Sequence, residues 1–272
     1  MIIRDAMMGM IIYQKINDIK CKPGRFTNQD VDRIFHDFKR HDFSQGVDDC
    51  NMEIGFFIDV LLEEEKFTDY SVEKASEIAR SVGKFCMGDF TFVNRLGRIK
   101  LHKKQYIDAL ILLCKAMQLD FINLAEGIDQ VIYLNIHLAI KHSQLFKILE
   151  SNRISSSDDL KLVITTLEEI IQRFGGFGFG GFGGFDDDLE NRFKLYLSIA
   201  NLLFQQEKYA KAEKTLELYD LPELIEKSGN EVYKNAYKHN MERIQHAYNC
   251  LKPFQKETTF DVDSTSWVNT CK

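Results

Sequence analysis

Residues 193–219 decide the fold, and they read FKLYLSIANLLFQQEKYAKAEKTLELY. The first half of this stretch places its key side chains at positions i, i+3, i+4 and i+7, which lie on one face of an α-helix. These residues are Tyr196, Ile199, Ala200 and Leu203. The second half makes another stripe at helical spacing with Tyr209, Ala212, Leu216 and Tyr219. The stretch therefore predicts two helices joined by a short turn.

The same offsets occur earlier in the chain, within residues 90–117. The residues that carry them are Val93, Leu96, Gly97, Tyr106, Ala109, Leu113 and Ala116. In both stretches a small residue, Gly97 or Ala200, stands nine positions before a Tyr, and a second small residue follows that Tyr after three positions. Small residues at these places let two antiparallel helices approach closely. We therefore expect two helical hairpins of the same kind.

This order of small and aromatic positions resembles the tetratricopeptide repeat, and the resemblance covers roughly 30 of the about 34 residues of such a repeat in each stretch. It departs from the family at Lys100, where a large apolar residue is preferred. The resemblance implies an all-α fold in which antiparallel helical hairpins stack as an α-solenoid. It also implies an interaction protein that holds a peptide or a partner helix in its concave groove.

The resemblance suggests how the whole chain is organised. Residues 1–84 are expected to form an N-terminal helical region, either degenerate repeats or a bundle. Residues 85–173 are expected to hold tetratricopeptide-like repeats, and residues 190–255 a further repeat and a capping helix. Residues 174–189 are expected to form a flexible loop rich in Gly and Phe, and residues 256–272 are expected to form a tail.

The resemblance further implies which side chains face the groove, since the family presents particular positions of each first helix there. The residues at these positions are Thr91, Asn94, Arg98, Leu101 and His102 in the earlier stretch and Lys194, Leu197, Asn201, Phe204 and Gln205 in the later one. The expected partner-binding residues, which can hold a peptide backbone or carboxylate, are Asn94, Arg98, His102, Lys194, Asn201 and Gln205. The carboxylate-binding pattern of chaperone-binding members is incomplete, because only Asn201 matches it. The alternative is that these positions are ordinary solvated polar residues.

The composition favours helices and argues against several kinds of partner. Only three prolines occur in 272 residues, and no stretch sustains the alternation that strands require. The formal charge of −6 gives no general attraction to nucleic acid or to an anionic membrane, and no apolar run approaches the length of a membrane span. The six cysteines contain no CxxC pair, which indicates a reducing compartment. We therefore expect a soluble cytoplasmic protein that binds a protein or peptide and needs no cofactor.

Helical periodicity, capping residues and breakers predict the individual helices. The predicted segments are 3–17, 28–41, 52–65, 71–84, 88–102, 105–118, 121–149, 157–173, 190–206, 209–219, 221–227 and 230–251. Thr27 is predicted to cap the second of them, because Thr27 and Asp30 form a capping box with Asp in place of the usual Glu.

The stretch 174–185 reads FGGFGFGGFGGF and is followed by three aspartates. Its seven glycines cannot hold a helix, because each Gly costs about 1 kcal/mol relative to Ala. Three interpretations are open: a disordered insertion, an interaction segment similar to the phenylalanine-glycine tracts of nuclear pore proteins, and a linker like that of some J-domain cochaperones. The His-Pro-Asp motif of a J-domain is missing. The GxGxxG spacing in the tract predicts no dinucleotide site, because a helix precedes it and carboxylates follow it.

Two patterns resemble metal sites, and neither is complete. His36 and His41 stand five residues apart, so on a helix they point about 140 degrees away from each other and do not converge on one ion. Residues 42–53 have several oxygen ligands at the spacing of a calcium-binding loop, but Val47 replaces the required Gly. A polar turn between helices is the alternative for this loop.

Two functions compete with that of a scaffold or adaptor. One is a helical regulatory or effector protein without a repeat superhelix. The other is a hydrolase whose catalytic residues are dispersed in the sequence and meet only in the fold. No motif in the chain favours the hydrolase.

Overall fold

The computed structural model describes residues 14, 16–19, 21, 23–40, 47–63, 65–123, 130–147, 153–175, 188–217 and 221–255. Within these ranges all regular structure is helical and no strand occurs, so the prediction of an all-α fold is confirmed. No helix in the described part is long and apolar enough to cross a membrane.

The helices of the first half are α1 (Asn28–Arg40), α2 (Val47–Leu61), α3 (Asp69–Cys86), α4 (Phe90–His102), α5 (Tyr106–Asn123), α6 (Gln130–Ser143) and α7 (Ser157–Gly175). The second half contains α8 (Asp188–Gln205), α9 (Tyr209–Glu217), α10 (Leu221–Ser228) and α11 (Glu231–Gln255). The chain divides into two compact units: unit 1 comprises residues 1–144 and 151–178, and unit 2 comprises residues 145–150 and 179–272.

One predicted helix is wrong. The sequence predicts a single helix over 121–149, whereas α6 ends at Ser143 and Gln144 has a left-handed backbone with φ 54. No proline or glycine marks this end. The physical reason lies in unit 2, where Leu145 and Phe146 are buried and their carbonyls accept hydrogen bonds from asparagine side chains. Tertiary contacts therefore override the local preference for helix.

Several predictions fall outside the described residues. They concern most of the segment 3–17, the Gly/Phe tract after Gly175, the tail 256–272, and the calcium-like loop, whose residues 42–46 and whose side chains from 47 to 53 are not described.

In unit 1 each helix from α1 to α5 contacts the next one along the chain. Contacts also join helices two positions apart, since α2 packs against α4, α4 against α6, and α5 against α7. The core between them is apolar, with fully buried side chains such as Ile58, Ile78, Leu113 and Ile136. Burying one such side chain contributes about 1.5–3 kcal/mol, so this core is the main source of the unit's stability.

The starts of two helices in unit 1 are fixed by side chains. The backbone N–H of Thr27 donates to Asp30 and the backbone N–H of Asp30 donates to the Thr27 hydroxyl, both at 3.2 Å, so the predicted capping box is confirmed. Thr68 and Ser71 make the equivalent pair before α3. Each cap satisfies backbone donors that have no partner inside the helix and contributes about 1 kcal/mol.

In unit 2 each of α8, α9, α10 and α11 contacts the other three. Every residue from 193 to 203 is buried, so α8 is enclosed on all its faces. This explains why the stretch that decides the fold is apolar well beyond a single stripe.

Candidate functional site

The two hairpins predicted from the sequence, α4–α5 and α8–α9, have the same turn. In the first, the backbone N–H of Lys103 donates to the carbonyl of Ile99 at 3.1 Å. The N–H of Lys104 donates to the carbonyl of Leu101 and that of Gln105 to the carbonyl of Lys100, both at 2.9 Å. In the second, the equivalent bonds run from Gln206 to Leu202, from Glu207 to Phe204 and from Lys208 to Leu203, at 3.2, 3.0 and 3.0 Å. Each residue has its counterpart at the same offset from Gly97 or Ala200. The shared sequence pattern therefore corresponds to a shared backbone conformation.

The residue after the C-cap adopts a left-handed backbone in both turns. Lys104 has φ 58 and Glu207 has φ 59, although neither is a glycine. An L-residue in this region costs about 1–2 kcal/mol, so the surrounding contacts hold both turns in place.

The small residues of the pattern are buried. Gly97 is buried, and a Cβ atom added to it would lie 2.6 Å from Cγ and Cδ2 of Leu113. Ala200, Ala109 and Ala212 are fully buried. The expectation that helices approach closely at Gly97 is confirmed, and no larger residue fits there without movement of Leu113.

Lys100 is the residue at which the sequence departs from the expected repeat pattern. Its ammonium group pairs with Asp108 at 3.1 Å and donates to the Gln105 side chain at 2.8 Å. The ammonium group of Lys100 therefore links the end of α4 to the start of α5.

Two of the predicted partner-binding residues join α4 to neighbouring helices of unit 1. The side-chain oxygen of Asn94 accepts a hydrogen bond from the amide of Asn135 on α6 at 3.1 Å, and both residues are buried. The guanidinium of Arg98 pairs with Asp59 on α2 at 2.7 Å, and Arg95 pairs with the other oxygen of Asp59 at 2.8 Å. One carboxylate therefore pairs with two guanidinium groups, and the cluster of Asp59, Arg95 and Arg98 has a net charge of +1.

Beside Asn135, α6 exposes an apolar stripe. Val131, Leu134 and Leu138 are 51%, 45% and 44% exposed and follow the spacing i, i+3 and i+7. The opposite side of the same helix is buried through Ile132, Ile136 and Ile140. Large exposed aliphatic side chains in one row are typical of surfaces that meet a partner.

The remaining predicted residues have neighbours within their own unit. The ring of His102 lies 4.3 Å from that of Phe67, between centroids. Lys194 is buried, and its ammonium lies 5.7 Å from the ring centroid of Tyr233. Gln205 is half-buried in the last turn of α8.

Asn201 differs from the others because it already holds a polypeptide backbone. It is 1% exposed, and its amide donates to the carbonyls of Leu145 at 2.8 Å and Lys147 at 2.7 Å. The sequence predicted that this residue grips a peptide. In the structure it binds a segment of its own chain.

The described residues include no group of three or more His, Cys, Asp or Glu side chains that could hold a metal ion. Burial raises the pKa of the Cys114 thiol well above its ordinary value, so this cysteine stays protonated and is a poor nucleophile. His36 is exposed, and its Nδ1 lies 3.9 Å from the carboxylate of Asp37.

No protein-family model matches the chain, and comparison with curated proteins and with solved structures finds no match either.

Sequence reasoning missed several residues of these faces. Asp59 and Arg95 give no local signal, since their pairing depends on how α2 meets α4. Leu134 and Leu138 do have helical spacing, but α6 is apolar on two sides, and periodicity does not tell which side packs inward. Asn240, which shares the role of Asn201, lies outside both hairpin patterns.

Proposed function

We propose that this protein is an intracellular scaffold or adaptor that binds a polypeptide partner on a face of unit 1 formed by α2, α4 and α6. We call this the α4–α6 face and define it by Asp59, Arg98, Asn94, Leu134 and Leu138. The resemblance to tetratricopeptide repeats supports this function, because proteins of that family bind peptides on the corresponding surface. The buried thiols Cys86 and Cys114 fit a reducing compartment.

The order of contacts in unit 1 supports a repeat-like stack. Alternate helices α2, α4 and α6 touch one another in turn, while α3 and α5 connect them. Stacked hairpins produce this order, because each pair of helices packs against the next pair. Helices α2, α4 and α6 then share one continuous surface.

The observation that carries the proposal is the exposed stripe of α6 beside the buried Asn94–Asn135 bond. That hydrogen bond, at 3.1 Å, places the stripe of α4 that bears Arg98 next to the stripe of α6 that bears Leu134 and Leu138. The face thus combines an apolar row with a polar edge. Such a combination suits an amphipathic segment whose apolar side chains cover the leucines.

The charge on this face indicates what the partner carries. Arg95 and Arg98 together exceed the single charge of Asp59 by one unit, and all three side chains are partly exposed. The three guanidinium nitrogens of Arg95 already donate to Asp59 and Thr91. Arg98 contacts Asp59 through Nη1, so a carboxylate of the partner can pair with the other N–H groups of Arg98. Because these charges face solvent, added salt should weaken the binding.

The test is selection from a library of random peptides displayed on phage, with the whole protein immobilised. We expect the enriched peptides to combine apolar residues with Asp or Glu and to bind Leu134→Ser/Leu138→Ser at least about tenfold more weakly than wild type, a loss of about 1.4 kcal/mol. Both leucines are nearly half exposed, so this variant is expected to fold.

Val232→Ser is the matched control, because Val232 is 59% exposed and lies in unit 2. It removes a similar exposed apolar side chain away from the α4–α6 face and should leave binding unchanged. Peptides that bind the double leucine variant as tightly as wild type would contradict the proposal.

A further inference from the structure

A short segment of unit 2, Leu145–Lys147, lies outside any helix. Its first two side chains are buried, with Leu145 at 0% and Phe146 at 8% exposure. The ammonium of Lys147 lies 5.6 Å from the ring centroid of Phe146. The chain enters the segment through Gln144, whose left-handed backbone breaks the path of α6. The segment is therefore an irregular stretch held by its surroundings.

Side chains of two helices bind the backbone of this segment. Asn201 of α8 donates to the carbonyls of Leu145 and Lys147 at 2.8 and 2.7 Å. Asn240 of α11 donates to the carbonyl between them, that of Phe146, at 3.4 Å, and also to Ala236 of its own helix at 2.6 Å. Three successive carbonyls are thus recognised by asparagine amides.

These contacts have the two components of peptide recognition. Hydrogen bonds to main-chain carbonyls provide affinity for any sequence, and buried positions for particular side chains provide specificity. Here the amides of Asn201 and Asn240 serve the first purpose, while the surroundings of Leu145 and Phe146 serve the second.

The side-chain oxygens of Asn201 and Asn240 can also accept hydrogen bonds from a bound peptide. The Oδ1 atoms of Asn201 and Asn240 are buried, and neither accepts a hydrogen bond from the described residues. A buried acceptor without a partner costs about 1–3 kcal/mol, so such atoms are uncommon. Two of them beside one bound segment mark a place where backbone N–H groups of a ligand would add favourable contacts.

We infer that α8 and α11 of unit 2 form a binding site for a short peptide in a turn conformation, with an aliphatic residue followed by an aromatic one, and that Leu145–Lys147 fills this site in the free protein. A peptide of the same type from another chain binds when it displaces the segment. This site is independent of the α4–α6 face, since it lies in unit 2 and uses other residues.

The experiment measures binding of a fluorescent peptide with the sequence of residues 144–150, QLFKILE, by anisotropy. Wild type should bind it weakly, because its own segment occupies the site. Phe146→Ala removes the main side chain of that segment and should bind the peptide at least tenfold more tightly. Phe146→Leu, a milder change, should show a smaller gain. Circular dichroism checks that each variant is helical.

Two controls distinguish binding at this site from nonspecific binding of the peptide. A scrambled peptide of the same composition should not show the gain. Adding Asn201→Ala or Asn240→Ala to the Phe146 variants should cancel it, since the peptide then loses its carbonyl donors. The inference is overturned if neither Phe146→Ala nor Phe146→Leu binds the peptide more tightly than wild type. It is also overturned if the scrambled peptide or the asparagine variants bind equally well.

Discussion

The α4–α5 and α8–α9 hairpins have the same turn conformation, but their outer sides make different contacts. Their turn hydrogen bonds correspond one by one, and Lys104 and Glu207 have φ 58 and φ 59. On the outer side of α4, Asn94 and Arg98 pair with side chains of neighbouring helices. On the outer side of α8, the equivalent of Arg98 is Asn201, which is buried against the chain's own backbone.

In this protein, the formation of a hairpin and the contacts of its outer face are determined separately. The spacing of small and aromatic residues fixes how two helices pair and turn. What then lies against the outer face depends on the next element, which is α6 for the first hairpin and Leu145–Lys147 for the second. A shared pattern therefore predicts the hairpin and leaves the use of its outer face open.

The largest expected effect comes from placing a charge at the buried small residue of the second hairpin. Ala200→Glu places a carboxylate at a position with 0% exposure in α8, a helix enclosed on all its faces. An unpaired buried charge costs about 3–5 kcal/mol, which is a large part of the roughly 5–15 kcal/mol that stabilises a typical domain. We expect loss of helical signal and of a cooperative unfolding transition in far-ultraviolet circular dichroism.

Ala210→Glu is the control for this change, because Ala210 lies in the same hairpin and is exposed. It introduces the same side chain without burying it and should change the free energy of unfolding by less than about 0.5 kcal/mol. An Ala200→Glu protein as helical and as stable as Ala210→Glu would show that the hairpin contact at Ala200 is assigned wrongly.

The second test concerns the first hairpin and compares two glycines of unit 1. A Cβ atom on Gly97 would lie 2.6 Å from the buried side chain of Leu113, whereas a Cβ atom on Gly83 of α3 would meet nothing within 4 Å. Gly97→Ala should therefore lower the free energy of unfolding by about 1–2 kcal/mol, since overpacking exceeds the gain in helix propensity. Gly83→Ala should raise it by about 0.5–1 kcal/mol. Chemical denaturation measures both, and equal signs would contradict the close packing at Gly97.

Much of the fold follows from local sequence rules. The hairpin helices were predicted because their stripes have helical spacing, and these stripes are buried, as Val93, Leu113, Ile199 and Leu216 show. The start of α1 was predicted because Thr27 has a carboxylate three residues later. In these cases neighbours along the chain decide the conformation, so a single sequence contains the necessary information.

The site depends on contacts that the sequence does not record. Gln144 and Leu145 have no proline or glycine around them, and α6 stops where Leu145 and Phe146 are buried and their carbonyls accept hydrogen bonds from Asn201 and Asn240. The exposed Leu134 looks the same in the sequence as a core leucine. Residues far apart in the chain determine both features, which is why the single helix over 121–149 was the wrong prediction.

The smallest effect is expected from replacing the left-handed residue of each turn with glycine. These two variants test whether the backbone strain is the same in both turns. Lys104 and Glu207 are exposed, so replacing each with glycine removes little packing and mainly relieves the left-handed backbone. The relief is about 1–2 kcal/mol, and the greater freedom of glycine in the unfolded chain takes back about 0.5–1 kcal/mol. We therefore expect Lys104→Gly and Glu207→Gly each to raise the free energy of unfolding by about 0.5–1 kcal/mol.

Equal gains in chemical denaturation would mean that each turn holds its residue under the same strain, as expected if the backbone conformation is a property of the repeated pattern. If one glycine variant raises the free energy of unfolding and the other lowers it, neighbouring elements impose one of the two turns. The two hairpins would then have equivalent hydrogen bonds but different backbone strain. Lys103→Gly is the reference for this measurement, because Lys103 has φ −77 and glycine relieves nothing there. It should destabilise the protein, since the glycine adds freedom to the unfolded chain and removes the ion pair of Lys103 with Glu73.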